Sequence, residues 1–458
     1  MIKIRLREHE LVTIGSKIVS TDYTLPSEIY KLLSAAKPRR IFANVSPFSL
    51  TKDDDKGVYH LQAGYYIGAD WLVKNGAFVY VEPKINIGRI HHFEKAVEQL
   101  GDADPPTQDS SSQAMFYEVD IIKMLTKICE EPEAVKHIDS LLFIDWHSPQ
   151  IELEQKSDIL TPFLIAQFLG VLKNIVKKGL KKSYHQTQEN LSGKMKGRLL
   201  VARHIQNNVI KNHMIKNLCE YPAFDINIPE NQFLKYVLRF CDRYLEGIGS
   251  ASGSQDMRQL LNFCRAAFEQ VSDQIKVKIP KHRRQNAFFK DYQQAIELGE
   301  CILKRFGYQP SVDEAHQKTP PFWIDMPKLF ELYVYTKMLK THQSTKLIYQ
   351  FGTYGNVLDF LIADGEHSLI IDAKYKLKYH HSLIHQDIRQ VCGYARLNKV
   401  RQIAKVSDDQ HIRCLIIYPV IDSSKSQLDL SDQTPIHGYY KVFKLGLALP
   451  ITPKVLPA

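Results

Sequence analysis

The sequence predicts a multidomain α+β protein: a β-rich N-terminal domain, a mostly helical middle region and a C-terminal α/β domain. Three observations carry this reading. The chain has 458 residues, more than one ordinary hydrophobic core accommodates, so two or three domains are expected. Its apolar pattern changes period along the chain, from alternation to helical spacing and then to a mixture of both. Between the first two regimes lies GDADPPTQDSSSQA (101–114), a polar stretch containing Pro and Ser that reads as a linker.

Residues 1–100 carry the strand signals. GYYIGADWLVKNGAFVYVEPKINIG alternates around Asn75-Gly76, a dipeptide suited to a tight hairpin turn, and the pattern stops at Pro83. From 115 to 310, FYEVDIIKMLTKICEE, TPFLIAQFLGVLKNIVKKGLKK and NQFLKYVLRFCDRYLEGI place apolar residues at i, i+3 and i+4. The second of these closes with Lys177, Lys178, Lys181 and Lys182, cations that suit the negative end of a helix. GSASGS (249–254) reads as a loop between helices and KHRR (281–284) as a basic surface cluster. From 311 to 458 a helix (PKLFELYVYTKMLK), a hairpin, a second helix (HQDIRQVCGYARLN) and a strand (RCLIIYPV) follow one another. That order predicts an α/β arrangement around a small sheet, with PITPKVLPA as an extended tail.

Hydrophobic content of 44% and charged content of 24% are those of a globular protein. No stretch reads as long and apolar enough to span a bilayer, and Met1-Ile2-Lys3-Ile4-Arg5 leads into charge rather than into a signal sequence. The seven cysteines, at 129, 219, 241, 264, 301, 392 and 414, are scattered and never form CxxC, which predicts reduced thiols in a cytoplasm. A net charge of +10 and a pI near 9.0 are compatible with a polyanionic partner. The sequence holds no GxxxxGK[ST], no GxSxG and no HExxH, so the P-loop NTPase, nucleophile-elbow hydrolase and HExxH zinc classes are excluded. His381 and His385 share a helix face without a third ligand nearby and read as surface histidines.

One stretch breaks the rule that strands bury apolar residues. VLDFLIADGEHSLIIDAKYK (357–376) carries Asp359, Asp372 and Lys374 inside its apolar runs. Asp364-Gly365-Glu366-His367 reads as a hairpin loop, and that loop sets Asp359 opposite Asp372. Directly opposed residues have Cβ atoms about 4.5–5.5 Å apart, and like charges there repel. Lys374 shares the face of Asp372, while Ala373 points the other way. Two acids and one lysine thus converge, and a divalent cation would relieve the repulsion, since Mg²⁺ favours one or two carboxylates plus waters and phosphate oxygens. A slip of one residue in the loop would undo the pairing.

Asp359 followed by Asp372-Ala373-Lys374 resembles the signature of the PD-(D/E)xK nuclease superfamily, with Leu358 at the place where proline is usual. Glu331, in LFELYV, stands where many such nucleases keep an auxiliary acid. Gln390 and Tyr394 match a QxxxY pairing found in part of the superfamily, one helix turn apart and so able to share a face. Over most of its length the chain resembles the McrC family, the nuclease subunit of McrBC modification-dependent restriction systems. The resemblance runs through GYYIGADWLVKNGAFVYVEPKI, through ENLSGKMKGRLLVARHI followed by EYPAFDINIPENQFLKYVL (with Gly197-Arg198, Asp225 and Asn231 in place), and through MPKLFELYV and LIIDAKYK. Residues around 100–150 have no counterpart in it.

The resemblance implies an organisation and a chemistry. Residues 1–100 would dock a partner, 101–114 would link, 115–310 would form the middle region, and 311–458 would be the PD-(D/E)xK endonuclease, folding even without the first hundred residues. The partner implied is an McrB-like AAA+ GTPase that recognises modified double-stranded DNA and translocates, with this chain stimulating GTP hydrolysis and cutting. Asp359, Asp372 and the Ala373 carbonyl would hold Mg²⁺, Lys374 would act on the attacking water, Glu331 would complete the metal shell or position a water, and Gln390 and Tyr394 would contact DNA or brace the lysine. Two other readings compete: a non-catalytic DNA-binding regulator of an AAA+ motor, and a stand-alone repair nuclease.

Overall fold

The structure is a computed structural model that describes residues 1–16, 21–42, 45–86, 116–154, 158–247, 253–273, 290–307, 316–341, 346–375, 381–407, 409–421 and 423–452. The expected linker 101–114, the KHRR cluster, most of GSASGS and the end of the tail lie outside these residues. It is a mixed α/β protein with several sheets, consistent with a multidomain α+β fold. It divides into two compact units, Met1–Gln167 together with Gly307–Ala458, and Phe168–Phe306.

The first unit holds two sheets that matter for the site. A five-stranded sheet runs in the order Ile2–Arg7, Ala77–Glu82, Tyr66–Val73, Phe322–Asp325, Leu142–Ile144. The hairpin expected at Asn75-Gly76 is present: Tyr66–Val73 pairs antiparallel with Ala77–Glu82, and Asn75 takes the left-handed conformation (φ 59°). The fourth strand differs from the expectation. Phe322–Asp325 comes from the C-terminal segment, yet it pairs with Tyr66–Ala69, with Phe322, Trp323 and Ile324 fully buried. The C-terminal segment is therefore built into the N-terminal sheet rather than standing apart from it. A four-residue apolar strand carries no local mark of the sheet it will join.

Gly68 makes this insertion possible. Its φ is +148°, and a Cβ at that position would lie 2.1 Å from the Phe322 carbonyl oxygen. Beside it, the Trp323 indole N–H donates to Asp70 Oδ2 at 3.2 Å. Immediately after the strand, Asp325 Oδ1 accepts the Lys328 amide at 3.0 Å and caps the helix Met326–Thr341. Phe330, Leu332, Val334, Tyr335 and Met338 are buried on successive sides of that helix, so it is enclosed all round. It packs against both Tyr66–Val73 and Leu369–Ala373, tying the first sheet to the second.

The second sheet has six strands in the order Leu347–Thr353, Asn356–Ile362, Leu369–Ala373, Arg413–Val420, Val442–Ala448, Thr434–Pro435. The helix His381–Tyr394 lies between the parallel strands Leu369–Ala373 and Arg413–Val420, the usual crossover, and packs on both. Its core gathers Leu358, Leu361, Ile370, Ile388, Val391, Val400 and Ile416.

The second unit contains the helix Pro229–Gly247, as the helical spacing predicts, and the helices Ser254–Ala267 and Lys290–Gly307, within the region expected to be mostly helical. It also holds a three-stranded sheet in the order Ser183–Ser192, Lys216–Asp225, Arg198–Leu199, which helical periodicity could not reveal. SYHQTQENLS has almost no apolar face, and this sheet buries only a small cluster of Leu191, Cys219 and Tyr221 while Tyr184, Ile210, Met214, Ile215 and Phe224 are exposed. Gly197 has φ +69° and passes too close to the Glu220 carbonyl to carry a side chain. Asn231 braces the base of the sheet, donating to the Lys181 and Ile226 carbonyls and accepting from the Tyr292 hydroxyl. One expectation is corrected: Leu160–Lys178 is long and apolar enough to cross a bilayer, its 18-residue apolar window having mean hydropathy 1.2, but 78% of that window is buried inside the protein. It is a core helix.

Gly68→Ala is expected to destabilise the chain by several kcal/mol, because the added methyl meets backbone that cannot yield and the left-handed φ strains any other residue. Denaturant unfolding of the two proteins checks this. A stability within about 0.5 kcal/mol of wild type would show that Phe322–Asp325 is not held where described.

Candidate functional site

The loop that joins the two acid-bearing strands is a single tight turn. Gly365 adopts φ +56°, Gly365–His367 forms one turn of 3₁₀ helix, and the Asp364 amide donates to Ser368 Oγ at 2.9 Å. This loop sets the pairs Phe360↔Ile371, Leu361↔Ile370 and Ile362↔Leu369, the register expected from the sequence. One step beyond the last pair come Asp359 and Asp372. There Asp359 Oδ2 accepts the Ala373 amide at 2.8 Å. The Lys374 amide donates to Ile417 on the neighbouring strand at 2.8 Å, which fixes the lysine's backbone.

The acids and the lysine meet. Lys374 Nζ lies 2.9 Å from Asp372 Oδ2 and donates to Gln390 Oε1 at 3.1 Å. Gln390 Nε2 in turn donates to the Tyr394 hydroxyl at 2.6 Å. Gln390 and Tyr394 therefore face the site together, as their spacing predicts. Glu331 is close enough to Asp359 to raise its carboxyl, but Glu331 Oε1 is held by Lys328 Nζ at 3.0 Å and Gln350 Nε2 at 3.2 Å. His385, the expected surface histidine, hydrogen-bonds the Tyr439 hydroxyl at 2.6 Å through Nδ1.

Burial sets the electrostatics. Asp372 is 2% exposed. Burial pushes the Asp359 carboxyl well above the carboxylate range, and the charges of Asp372 and Glu331 push it further, against the Ala373 amide and Lys374. Burial also raises Asp372, opposed by the Lys374 ammonium. The two carboxyls lie side by side at the end of the hairpin pairing. Burial alone would lower Lys374, but Asp372, Asp359 and Asp387 outweigh it, and the amine stays an ammonium.

A cation fits this arrangement in a limited way. Asp372 Oδ2 is buried and accepts no well-aligned hydrogen bond, although the ammonium is near. Two neighbouring carboxyls raised chiefly by burial suit an ion that takes one or two carboxylates and keeps its waters. Among the described residues no group of three or more His, Cys, Asp or Glu is gathered closely enough to hold a metal, so an all-protein cage is not formed. Glu331 would have to leave Lys328 and Gln350 to join in.

Four residues of the site escaped sequence reading. Asp387 is 4% exposed on the helix of Gln390, three residues earlier on the same face, a spacing that could have flagged it. Glu8 and Tyr375, both buried, meet the half-buried Tyr65 next to the lysine in sequence. The Tyr375 hydroxyl donates to Glu8 Oε1 at 3.1 Å, and the Tyr65 and Tyr375 rings meet edge to face. Burial pushes Glu8 up to about 8, with the Tyr375 hydrogen bond pulling the other way. A contact across 367 residues leaves no local signal.

A family described as "McrBC 5-methylcytosine restriction system component" matches residues 74–419 of the chain. Among solved structures, the chain is similar to one in the refined half-complex from the tetradecameric assembly of Thermococcus gammatolerans McrB AAA+ hexamers with bound McrC. The TM-score is 0.34 and the identity 14%, over 97% of this chain and 94% of that one. It is also similar to a chain of the cryo-EM structure of the Thermococcus gammatolerans McrBC complex, with TM-score 0.27 and 16% identity over 74% and 87%. No curated protein matches it.

Glu8 gives the site a pH signature. Its folded pKa of about 8 lies above the ordinary 4.5. Between those values the folded state keeps a proton that the unfolded chain has lost, so stability falls as pH rises and levels off above about 8. Glu8→Gln is expected to match wild type near pH 4 and to be more stable above pH 8, by on the order of a few kcal/mol. Paired denaturant titrations at the two pH values check this, and an equal difference at both would mean that Glu8 ionises normally.

Proposed function

The chain belongs to the McrBC 5-methylcytosine restriction system family, and from that premise we propose that it is the nuclease subunit of such a system, a Mg²⁺-dependent DNA endonuclease of the PD-(D/E)xK type. The observation that carries the reading is the hairpin register that sets Asp359 beside Asp372 with the Lys374 ammonium 2.9 Å from the latter. The partner we propose is an McrB-like AAA+ GTPase. This accords with a sequence that holds no P-loop of its own, and the partner would bring modified double-stranded DNA to the site in the cytoplasm. We place its docking surface in the first hundred residues.

Bound at Asp359, Asp372 and the Ala373 carbonyl, Mg²⁺ would neutralise phosphate charge and make a bound water more acidic. The residues around it do the rest. Asp359 and Asp372 would hold the cation as carboxylates, so the burial that favours their neutral forms would make its binding release protons. Lys374, aimed by Asp372 and Gln390, presents its ammonium to the attacking water and to the charge that develops on the phosphate. Tyr394 fixes the Gln390 amide, so the lysine has one direction in which to point. Glu331, clasped by Lys328 and Gln350, adds negative charge beside Asp359 that favours cation binding.

Asp359→Ala and Asp372→Ala are each expected to abolish cleavage without loss of the fold. Without metal they should melt at or above the wild-type temperature, since each ends a like-charge contact. Lys374→Ala is expected to stop cleavage while Mg²⁺ still raises its melting temperature. All three should still stimulate the GTPase. The measurements are cleavage of methylated and unmethylated DNA with and without partner and GTP, beside melts with and without Mg²⁺. Normal cutting by the Asp variants would refute the site. Cutting that ignores both partner and GTP would leave a nuclease outside such a system. A wild-type chain that stimulates the GTPase but never cuts would be a regulator.

A further inference from the structure

Tyr375, the residue after Lys374, is buried and reaches into the N-terminal part of the chain. Its hydroxyl donates to Glu8 Oε1 at 3.1 Å, its ring meets Tyr65 edge to face, and Phe330 tilts against it with centroids 5.8 Å apart. Glu8 follows the strand Ile2–Arg7 in a turn that is itself pinned. The Arg7 amide donates to Glu10 Oε2 at 2.8 Å, the Glu10 amide to the Arg7 carbonyl at 3.1 Å, and the Ala63 amide to the Glu10 carbonyl at 3.0 Å. The Glu8 carboxyl is buried, and among the described residues its hydrogen bond comes from Tyr375 alone, with Oε2 accepting none. A carboxyl buried with part of its hydrogen-bonding capacity unmet costs stability that an apolar residue would not. What it gains there is a hold on Tyr375.

That hold acts where the sheet's own hold ends. Asp359 binds the Ala373 amide at 2.8 Å and the Ile417 carbonyl binds the Lys374 amide at 2.8 Å, but the regular pairing of the strand stops at Ala373. The next described anchor along the chain is the Tyr375 side chain. Lys374 and Tyr375 share a planar peptide unit, so fixing the Tyr375 Cα fixes the far end of the unit that starts at the lysine. We propose that Glu8 and Tyr375 are positioning residues for the site: the turn after the first strand grips the Tyr375 hydroxyl, and that grip sets the backbone from which Lys374 reaches Asp372 and Gln390. The N-terminal sheet is then part of the cutting machinery and not only ground for a partner to dock on. The catalytic half of this inference rests on the nuclease reading, but the hold of Glu8 on Tyr375 does not.

The test uses the full chain in five forms: wild type, Tyr375→Phe, Glu8→Leu, Glu8→Gln and the double variant Tyr375→Phe with Glu8→Leu. Each is assayed on methylated duplex DNA with Mg²⁺, partner and GTP, well below the lowest melting temperature of the set. Tyr375→Phe keeps the ring contacts and removes only the hydroxyl. It and Glu8→Leu are each expected to lower kcat at least about fivefold with little change in KM for DNA. The double variant should cut no more slowly than the worse single one, because both changes break the same contact. Glu8→Gln keeps an oxygen for the hydroxyl and should recover most of what Glu8→Leu loses. Variants that melt lower but cut with the wild-type kcat would overturn the proposal and make the pair a packing contact, sparing the nuclease reading. Additive losses would overturn it too, since the two residues would then act separately. GTPase stimulation that falls in step with cutting would assign Glu8 to docking instead. If the wild type cuts nothing, the nuclease reading falls and takes the catalytic role with it, while the melts of the same double-variant cycle still show whether Glu8 holds Tyr375.

Discussion

Everything near the site depends on four residues joining a sheet made elsewhere in the chain. Phe322–Asp325 enters beside Tyr66–Ala69 because Gly68 leaves room for the Phe322 carbonyl. The last residue of that strand, Asp325, is also the cap of the next helix, so sheet and helix have a fixed angle with no loop between them. Asp325 is itself pushed up to about 6, chiefly by burial against its hydrogen bond from Lys328. The helix then carries Lys328 and Glu331 to the flank of Asp359 and leads on to the hairpin with both acids. Displacing the four-residue strand would move the start of the helix and, through it, the flank of the site.

The site departs from what a stable core would choose. Asp359 and Asp372 stand among Leu358, Phe360, Ile370 and Ile371, all fully buried, where apolar residues would pack without penalty. Natural proteins break the local rules at the positions where function needs it. Here the cost is lowered by one backbone amide and one ammonium. These compensations are partial. Lys374 is constrained the other way, held by so many acids that its own chemistry is that of a fixed charge.

Much of this was legible in the sequence. The Asp364–His367 loop sufficed to place Asp359 against Asp372, because a hairpin's register follows from its loop length. The i, i+4 spacing of Gln390 and Tyr394 sufficed to put both on the site. The rest was hidden for physical reasons. The FWID strand has no alternation long enough to show a partner, so its sheet was assigned by position along the chain. Glu8 meets Tyr375 only after two distant segments have docked. Ser183–Ser192 forms its strand from mostly polar residues, so the face it half-buries carries little apolar contrast for periodicity to show. The apolar helix Leu160–Lys178 looked ordinary in sequence because its hydropathy is modest, and its length emerged only in the fold.

The late arrival of Phe322–Asp325 has a consequence for how the chain is made. Trp323 and the Asp70 it binds are 253 residues apart. At synthesis rates of roughly 5–20 residues per second, the strand Tyr66–Val73 waits on the order of ten to fifty seconds before its neighbour leaves the ribosome. Throughout that interval Tyr66–Val73 offers a row of unpaired amides and carbonyls, the kind of edge that recruits other nascent chains. The site hairpin has no such delay, since its two strands are neighbours in sequence and close on each other as soon as both exist. Production of this protein is thus most exposed to slow elongation in the middle region, and a chaperone that shields β edges would act before residue 322 emerges.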